Sequence, residues 1–340
     1  MRYVVPGYVH RAGLHCGSTA MRNVLAHRGI DLSEPMCFGL GAGAGFFYVP
    51  DLPVPPGVVF HGRTLMFERD LCGFLGLPFD EHTEDDAELG WAHARGAVLS
   101  GHPVLLATDL AYLDYFDTKT HFAGHRVVLA GVDDEAGEAI LSDSEREGFE
   151  GIPVASLKRS RGSNIPPFPM RQWWTVVDPK GSPRPLAEAI PPALRRNARE
   201  IFSPGEGGRS GIPAMRRVAE EVARWPEWAA QWEFAARFQY QVIEKRGTGG
   251  GFFRRLYAAF LAEASAFYPE IGRETLPAEM AEAADGWTEI ATRFKEISEA
   301  GNPALFAGMR DPLLRQAERE ERFWRRAAAV AGGLPAGKEA

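Results

Sequence analysis

The stretch His15-Cys16-Gly17-Ser18-Thr19 carries the residue types best suited to covalent chemistry. A Cys-Gly pair there opens a run of helix-compatible residues that Gly29 would close. A thiol at a helix N-terminus meets unpaired N–H groups and the positive end of the macrodipole. Both favour the thiolate, and a neighbouring imidazolium favours it further. That would make Cys16 a nucleophile at neutral pH. The plainer alternative is a small apolar residue buried in a core, the common fate of a cysteine outside a disulfide. Cys37 and Cys72, set among Phe38, Leu71, Phe74 and Leu75, read as such core residues.

A thiol nucleophile needs a base, and the base needs an acceptor that fixes its tautomer. His125 follows Gly124 and leads straight into Arg126-Val127-Val128-Leu129-Ala130, which places it at the start of a strand. Asp143 follows Ile140-Leu141-Ser142, and residues 133–138 between the two runs have the composition of a hairpin loop. Cys16, His125 and Asp143 are therefore expected to act as nucleophile, base and orienting acid. Their order is that of papain-like enzymes, with the short His-to-Asp interval of the bacteriocin-processing-peptidase branch. His121 is the rival base, farther from the strand, and either histidine could instead cap a loop.

Papain-like enzymes usually place an oxyanion-binding glutamine a few residues before the cysteine. His10 stands at that distance here. His10 and His15 are thus the candidate side-chain donors, beside the backbone N–H of Cys16, and one such donor is worth about 3 kcal/mol in the transition state. Asp109, Tyr112 and Tyr115 precede the His121 segment, where a carboxylate beside two tyrosines would suit a cationic amine; a solvated loop is the equally simple alternative. Gly41 and Gly43, in the glycine-rich run 38–48, would let backbone pass close to the nucleophile or a substrate. That run lacks the lysine and serine of a phosphate cradle. A zinc set of His15, Cys16, His121 and His125 has no recognised ligand spacing, so no metal is expected, and the chemistry calls for no cofactor.

Around these residues the expected strands are 57–60, 104–108, 126–132, 139–142 and 173–177, forming one modest sheet in an α+β domain over 1–178. A proline-rich linker is expected at 179–192. Helices at 193–202, 212–238, 251–267, 277–300 and 311–330 then make a helical domain over 193–331, and 332–340 reads as a frayed tail. Arginines 254 and 255, after a glycine-rich turn, could meet an anion, though a helix–helix turn is the simpler reading.

Leu14-His15-Cys16-Gly17-Ser18, the run from Asp31 through Ser33-Glu34-Pro35-Met36-Cys37-Phe38-Gly39-Leu40-Gly41, and the Gly124-His125 strand together resemble the N-terminal domain of the butirosin-biosynthesis acyltransferase family, over roughly 10–150. The helical remainder resembles the uncharacterised domain that often follows in that family. The resemblance implies transfer of an acyl group from a carrier-protein thioester to a small amine through a cysteine acyl-enzyme, with Cys16, His125 and Asp143 in the catalytic positions. Hydrolysis by the same triad, as in a peptidase or amidohydrolase, is the main alternative. A non-catalytic binding protein on a peptidase-like fold is another.

The bulk properties narrow the partners. A net charge of −7 and a pI near 5.8 give no footprint for nucleic acid. No run is long and apolar enough for a secretory signal or a bilayer span, so a cytoplasmic protein without a membrane partner is expected. Three cysteines cannot all pair within one chain.

Overall fold

The computed structural model describes residues 1–165, 169–177 and 182–333. Its strands are β1 (Arg2–Val4), β2 (Ala44–Val49), β3 (Val59–Arg63), β4 (Val104–Asp109), β5 (Ala123–Asp133), β6 (Glu138–Ser142), β7 (Phe149–Pro153) and β8 (Trp174–Thr175). The helices that matter most for the site are α1 (Cys16–His27) and α2 (Glu34–Leu40). An antiparallel sheet accompanied by many helices is a mixed, α+β architecture.

The chain forms two compact units. One comprises residues 1–37 and 76–183, the other residues 38–75 and 184–340. The expected first domain was continuous to residue 178; instead, residues 38–75 group with the helices.

The first unit holds the sheet β7-β6-β5-β4-β8. The long strand β5 pairs with β4 from Ala123 to Leu129 and with β1 from Gly131 to Asp133, while β6 lies antiparallel to it from Val128 onward. The hairpin expected at 133–138 is present, and the Asp133 carboxylate accepts the N–H groups of Glu135 and Ala136 in its turn. Every residue of β4 is buried, so both faces of the sheet are covered. Helices α1 and Ala87–Leu99 pack on β5, and Val154–Arg161 packs on β4.

In the second unit, β2 and β3 form a separate hairpin. The expected strand at 57–60 thus belongs to this hairpin and not to the main sheet. Its partner β2 was read as part of a glycine-rich loop, because Gly43 and Gly45 interrupt the apolar alternation. Phe46 and Phe60 of the hairpin stack at 5.4 Å and meet Phe252 and Trp287.

The linker expected at 179–192 is corrected in its second half: Leu186–Phe202 is one helix that contains Pro191 and Pro192. Burial of Ala189, Ile190, Ala193, Leu194 and Ile201 along one face offsets the backbone bonds those prolines cannot make. Residues 179–181 of that linker, and 334–340 of the expected tail, lie outside the described residues. The helix expected at 212–238 is broken into Gly211–Glu221, Val222–Arg224, Trp225–Trp228 and Trp232–Glu244, with Pro226 at the break.

Arg254 is fully buried and bidentate to Glu320, with both bonds at 2.8 Å, and it also donates to the carbonyls of Gly45 and Gly62. Arg255 pairs with Asp285 at 2.9 Å. Arg254 therefore serves packing within this unit, while Arg255 lies at its surface in an ion pair.

Candidate active site

Cys16 is the first residue of α1, and His15 caps the helix from an extended conformation (φ −112°, ψ 127°), its Nδ1 accepting the Ser18 N–H at 3.2 Å. The segment that leads into Cys16 is tied down from two sides. Arg22 and Asn23 of α1 donate to the carbonyl of Arg11, and Arg22 also donates to that of Ala12. The buried Glu34 carboxylate accepts the N–H of Leu14 at 3.0 Å and of His15 at 2.7 Å, and the hydroxyls of Ser18 and Thr19 at 3.0 and 2.9 Å. Gly13 is needed at this crossing, since a Cβ there would stand 2.1 Å from Thr19 Oγ1 and 2.6 Å from Glu34 Oε2. Cys16 is partly exposed whereas Cys37 and Cys72 are buried. Burial first, then the nearby Glu68, pushes the Cys72 thiol up to about 12, far from a reactive state.

His125 lies near the start of β5 and Asp143 immediately follows β6, so the antiparallel pairing of those strands brings them together. His125 Nε2 stands 2.8 Å from Asp143 Oδ2, and the imidazole also hydrogen-bonds the Cys16 thiol. Burial works to discharge the imidazole, but the Asp143 carboxylate and then Cys16 outweigh it and hold the imidazolium well above its usual range. Burial opposes ionisation of Asp143 too, yet His125, the Glu145 N–H and the Tyr115 hydroxyl bring its carboxyl down to about 2. The Tyr115 hydroxyl donates to the same Oδ2 at 2.8 Å, and the Glu145 N–H donates to Oδ1 at 3.1 Å.

The remaining candidates take other places than those expected. Asp109 is fully buried: it accepts from Ser163 Oγ (2.7 Å) and from the N–H groups of Ala111 and Phe122, and pairs with His121 Nδ1 at 2.7 Å. It orders the loop around it, which corrects the expectation of a carboxylate open to an amine. Tyr112 packs edge-on against His121. Tyr115 points at Asp143, not at a substrate. His10 spends one nitrogen on Ser142 Oγ and the other on the Arg146 carbonyl, each at 2.8 Å, so neither is left for an oxyanion. Gly41 and Gly43 belong to the other unit, where Cβ atoms would collide with the rings of Phe67 and Phe38. Among the described residues no three His, Cys, Asp or Glu side chains stand together as metal ligands, and no helix is long and apolar enough to cross a membrane.

Residues 15–144, which span the Cys16 helix and end just past Asp143, match the family described as butirosin biosynthesis protein H, N-terminal. Residues 155–327 match a domain of unknown function (DUF4872). The chain belongs to the butirosin biosynthesis protein H-like family. Membership points to a biosynthetic enzyme. The two matched regions meet between 144 and 155, inside the first compact unit, so the family boundary is not the structural one. No curated protein matches the chain.

The contacts of two residues that matter to the site are not legible in the sequence. Glu34 was visible only as part of the Ser-Glu-Pro motif, and nothing local signals that its carboxylate folds back onto residues 14–19. Tyr115 was singled out, but for a substrate contact; its hydroxyl meets Asp143 through a contact across 28 residues that no spacing rule predicts.

Proposed function

We propose that the first unit is a papain-like cysteine domain that transfers an acyl group from a thioester, carried by a carrier protein, to a small amine. The observation that carries this reading is the unbroken chain of hydrogen bonds from the Cys16 thiol through His125 to Asp143, starting at a helix N-terminus. Membership in a butirosin-biosynthesis family supports acyl transfer as the class of reaction.

In the first half-reaction His125 takes the thiol proton and the Cys16 sulfur attacks the thioester carbonyl. The resulting oxyanion is met by the Cys16 backbone N–H at the positive end of α1. Collapse expels the donor thiolate, which regains the proton from His125. In the second half-reaction the amine attacks the acyl-cysteine, His125 accepts the amine proton, and the sulfur leaves as the thiolate paired with the imidazolium. Asp143 keeps the imidazole in the tautomer that serves both steps.

Intact mass spectrometry of the full chain, incubated with acyl-carrier-protein thioesters and then with amines, tests the reading. An acyl adduct on the wild type that is missing in Cys16→Ala, and that discharges faster with amine than without, is the expected result. Discharge at equal speed without amine would make the protein a hydrolase, and no adduct with any donor would remove the acyl-enzyme.

A further inference from the structure

We propose that Tyr115 is a positioning residue that shares the Asp143 carboxylate with His125 and thereby limits how tightly the dyad holds its proton. This rests on the reading of Cys16, His125 and Asp143 given above.

Tyr115 and His125 donate to one oxygen, Asp143 Oδ2, each at 2.8 Å. Two donors on one oxygen divide its charge, so each bond is weaker than it would be alone. The single turn Asp114–Phe116 carries Tyr115 and, beside it, Phe116. Phe116 presents its ring edge-to-face with the His125 imidazole at 5.7 Å, and the Ser156 hydroxyl anchors the turn by donating to Asp114 at 3.0 Å. Arg146 donates to the Tyr115 carbonyl at 2.5 Å and lies 5.1 and 4.7 Å from the Tyr115 and Phe116 ring centroids.

The charged and titratable groups around this cluster include the Cys16 thiol on His125, Arg146 and Glu150 near Tyr115, Asp114 on the turn itself and Glu145 beside Asp143. Burial, then the adjacent Asp143 charge, holds the Tyr115 hydroxyl well above its usual range, so it stays protonated and remains a donor. A ring that only filled space beside Asp143 would not need the hydroxyl directed at the oxygen His125 uses.

Removing that hydroxyl leaves His125 as the one side-chain donor on Oδ2 among the described residues, and the concentrated charge then holds the imidazolium more firmly. The His125 titration should move up by about half to one pH unit in Tyr115→Phe. Placing 3-fluorotyrosine at position 115 makes the hydroxyl a stronger donor and should move it down.

Both shifts are read by NMR titration of the full chain labelled with ¹⁵N-histidine. An unchanged or lowered titration in folded Tyr115→Phe overturns the proposal; should that variant fail to melt cooperatively, the fluorotyrosine protein decides, and no downward shift overturns it. Iodoacetamide labelling of Cys16 in the same preparations separates this from the catalytic reading. If wild-type Cys16 reacts no faster than Cys37 or Cys72, the nucleophile assignment fails, whereas labelling that is fast and lost in His125→Ala beside an unmoved titration in Tyr115→Phe sinks only the role of Tyr115.

Discussion

Two histidine–aspartate pairs occur close together in sequence, with nearly equal separations: His125 with Asp143 at 2.8 Å and His121 with Asp109 at 2.7 Å. What separates them is the company each keeps. The His125 side chain is 3% exposed and its second partner is a thiol, while that of His121 is 37% exposed and lies against Tyr112. His125→Ala should therefore slow alkylation of Cys16 at neutral pH by about 100-fold or more, and His121→Ala by no more than a few-fold. Peptide mapping of iodoacetamide labelling checks the ranking, and the reverse order would make His121 the base. The geometry of Cys16, His125 and Asp143 was legible because a helix start and a hairpin each leave a local signature. That of Asp109 was not, because an aspartate beside tyrosines looks solvated in sequence, and the serines that enclose it, Ser160 and Ser163, come from about fifty residues away.

At the scale of elements, α1 is held both by its own His15 cap and by α2, whose first residue is Glu34. Four donors converge on that one carboxylate, and all lie within the six residues 14–19 that include Cys16. Truncation to Ala would strand them in a buried setting, at a cost of about 2–4 kcal/mol. Glu34→Ala should lower the urea midpoint accordingly and slow Cys16 alkylation, with Glu34→Gln in between because its amide keeps one accepting oxygen. Alkylation at the wild-type rate in a destabilised Glu34→Ala protein would show that the tether stabilises without aligning the thiol. The β5–β6 hairpin was readable from alternation and turn composition. Strand β2 was not, since two of its six places, Ala44 and Gly45, carry weak strand formers and the rest are rewarded by packing on residues far off in sequence, Phe46 on Trp287 and Phe252 and Tyr48 on Trp225.

At the scale of the molecule, the chain leaves the first unit at residue 38, returns at 76 and leaves again at 184. Sequence composition registers the last of these changes, where helix formers take over, and misses the first two, because an aromatic-rich segment reads the same whichever core receives it. Phe38 stacks on Phe253 at 5.7 Å, Tyr48 on Trp225 at 6.4 Å, and Phe60 meets Trp287 and Phe294 at 5.9 Å. A protein ended at residue 183 would keep these rings without those partners. It should bind the dye ANS and lack a cooperative melt, and a sharp melt with no dye binding would show that 38–75 folds unaided. The same excursion has a consequence on the ribosome. Residues 38–75 are synthesised long before Trp225, Phe253 and Trp287, so at typical elongation rates they wait about 10–40 s for the helices that cover them. During that interval the nascent chain presents a cluster of bare aromatic rings, and its yield in a cell should depend on chaperones that shield such surfaces until translation reaches the final helices.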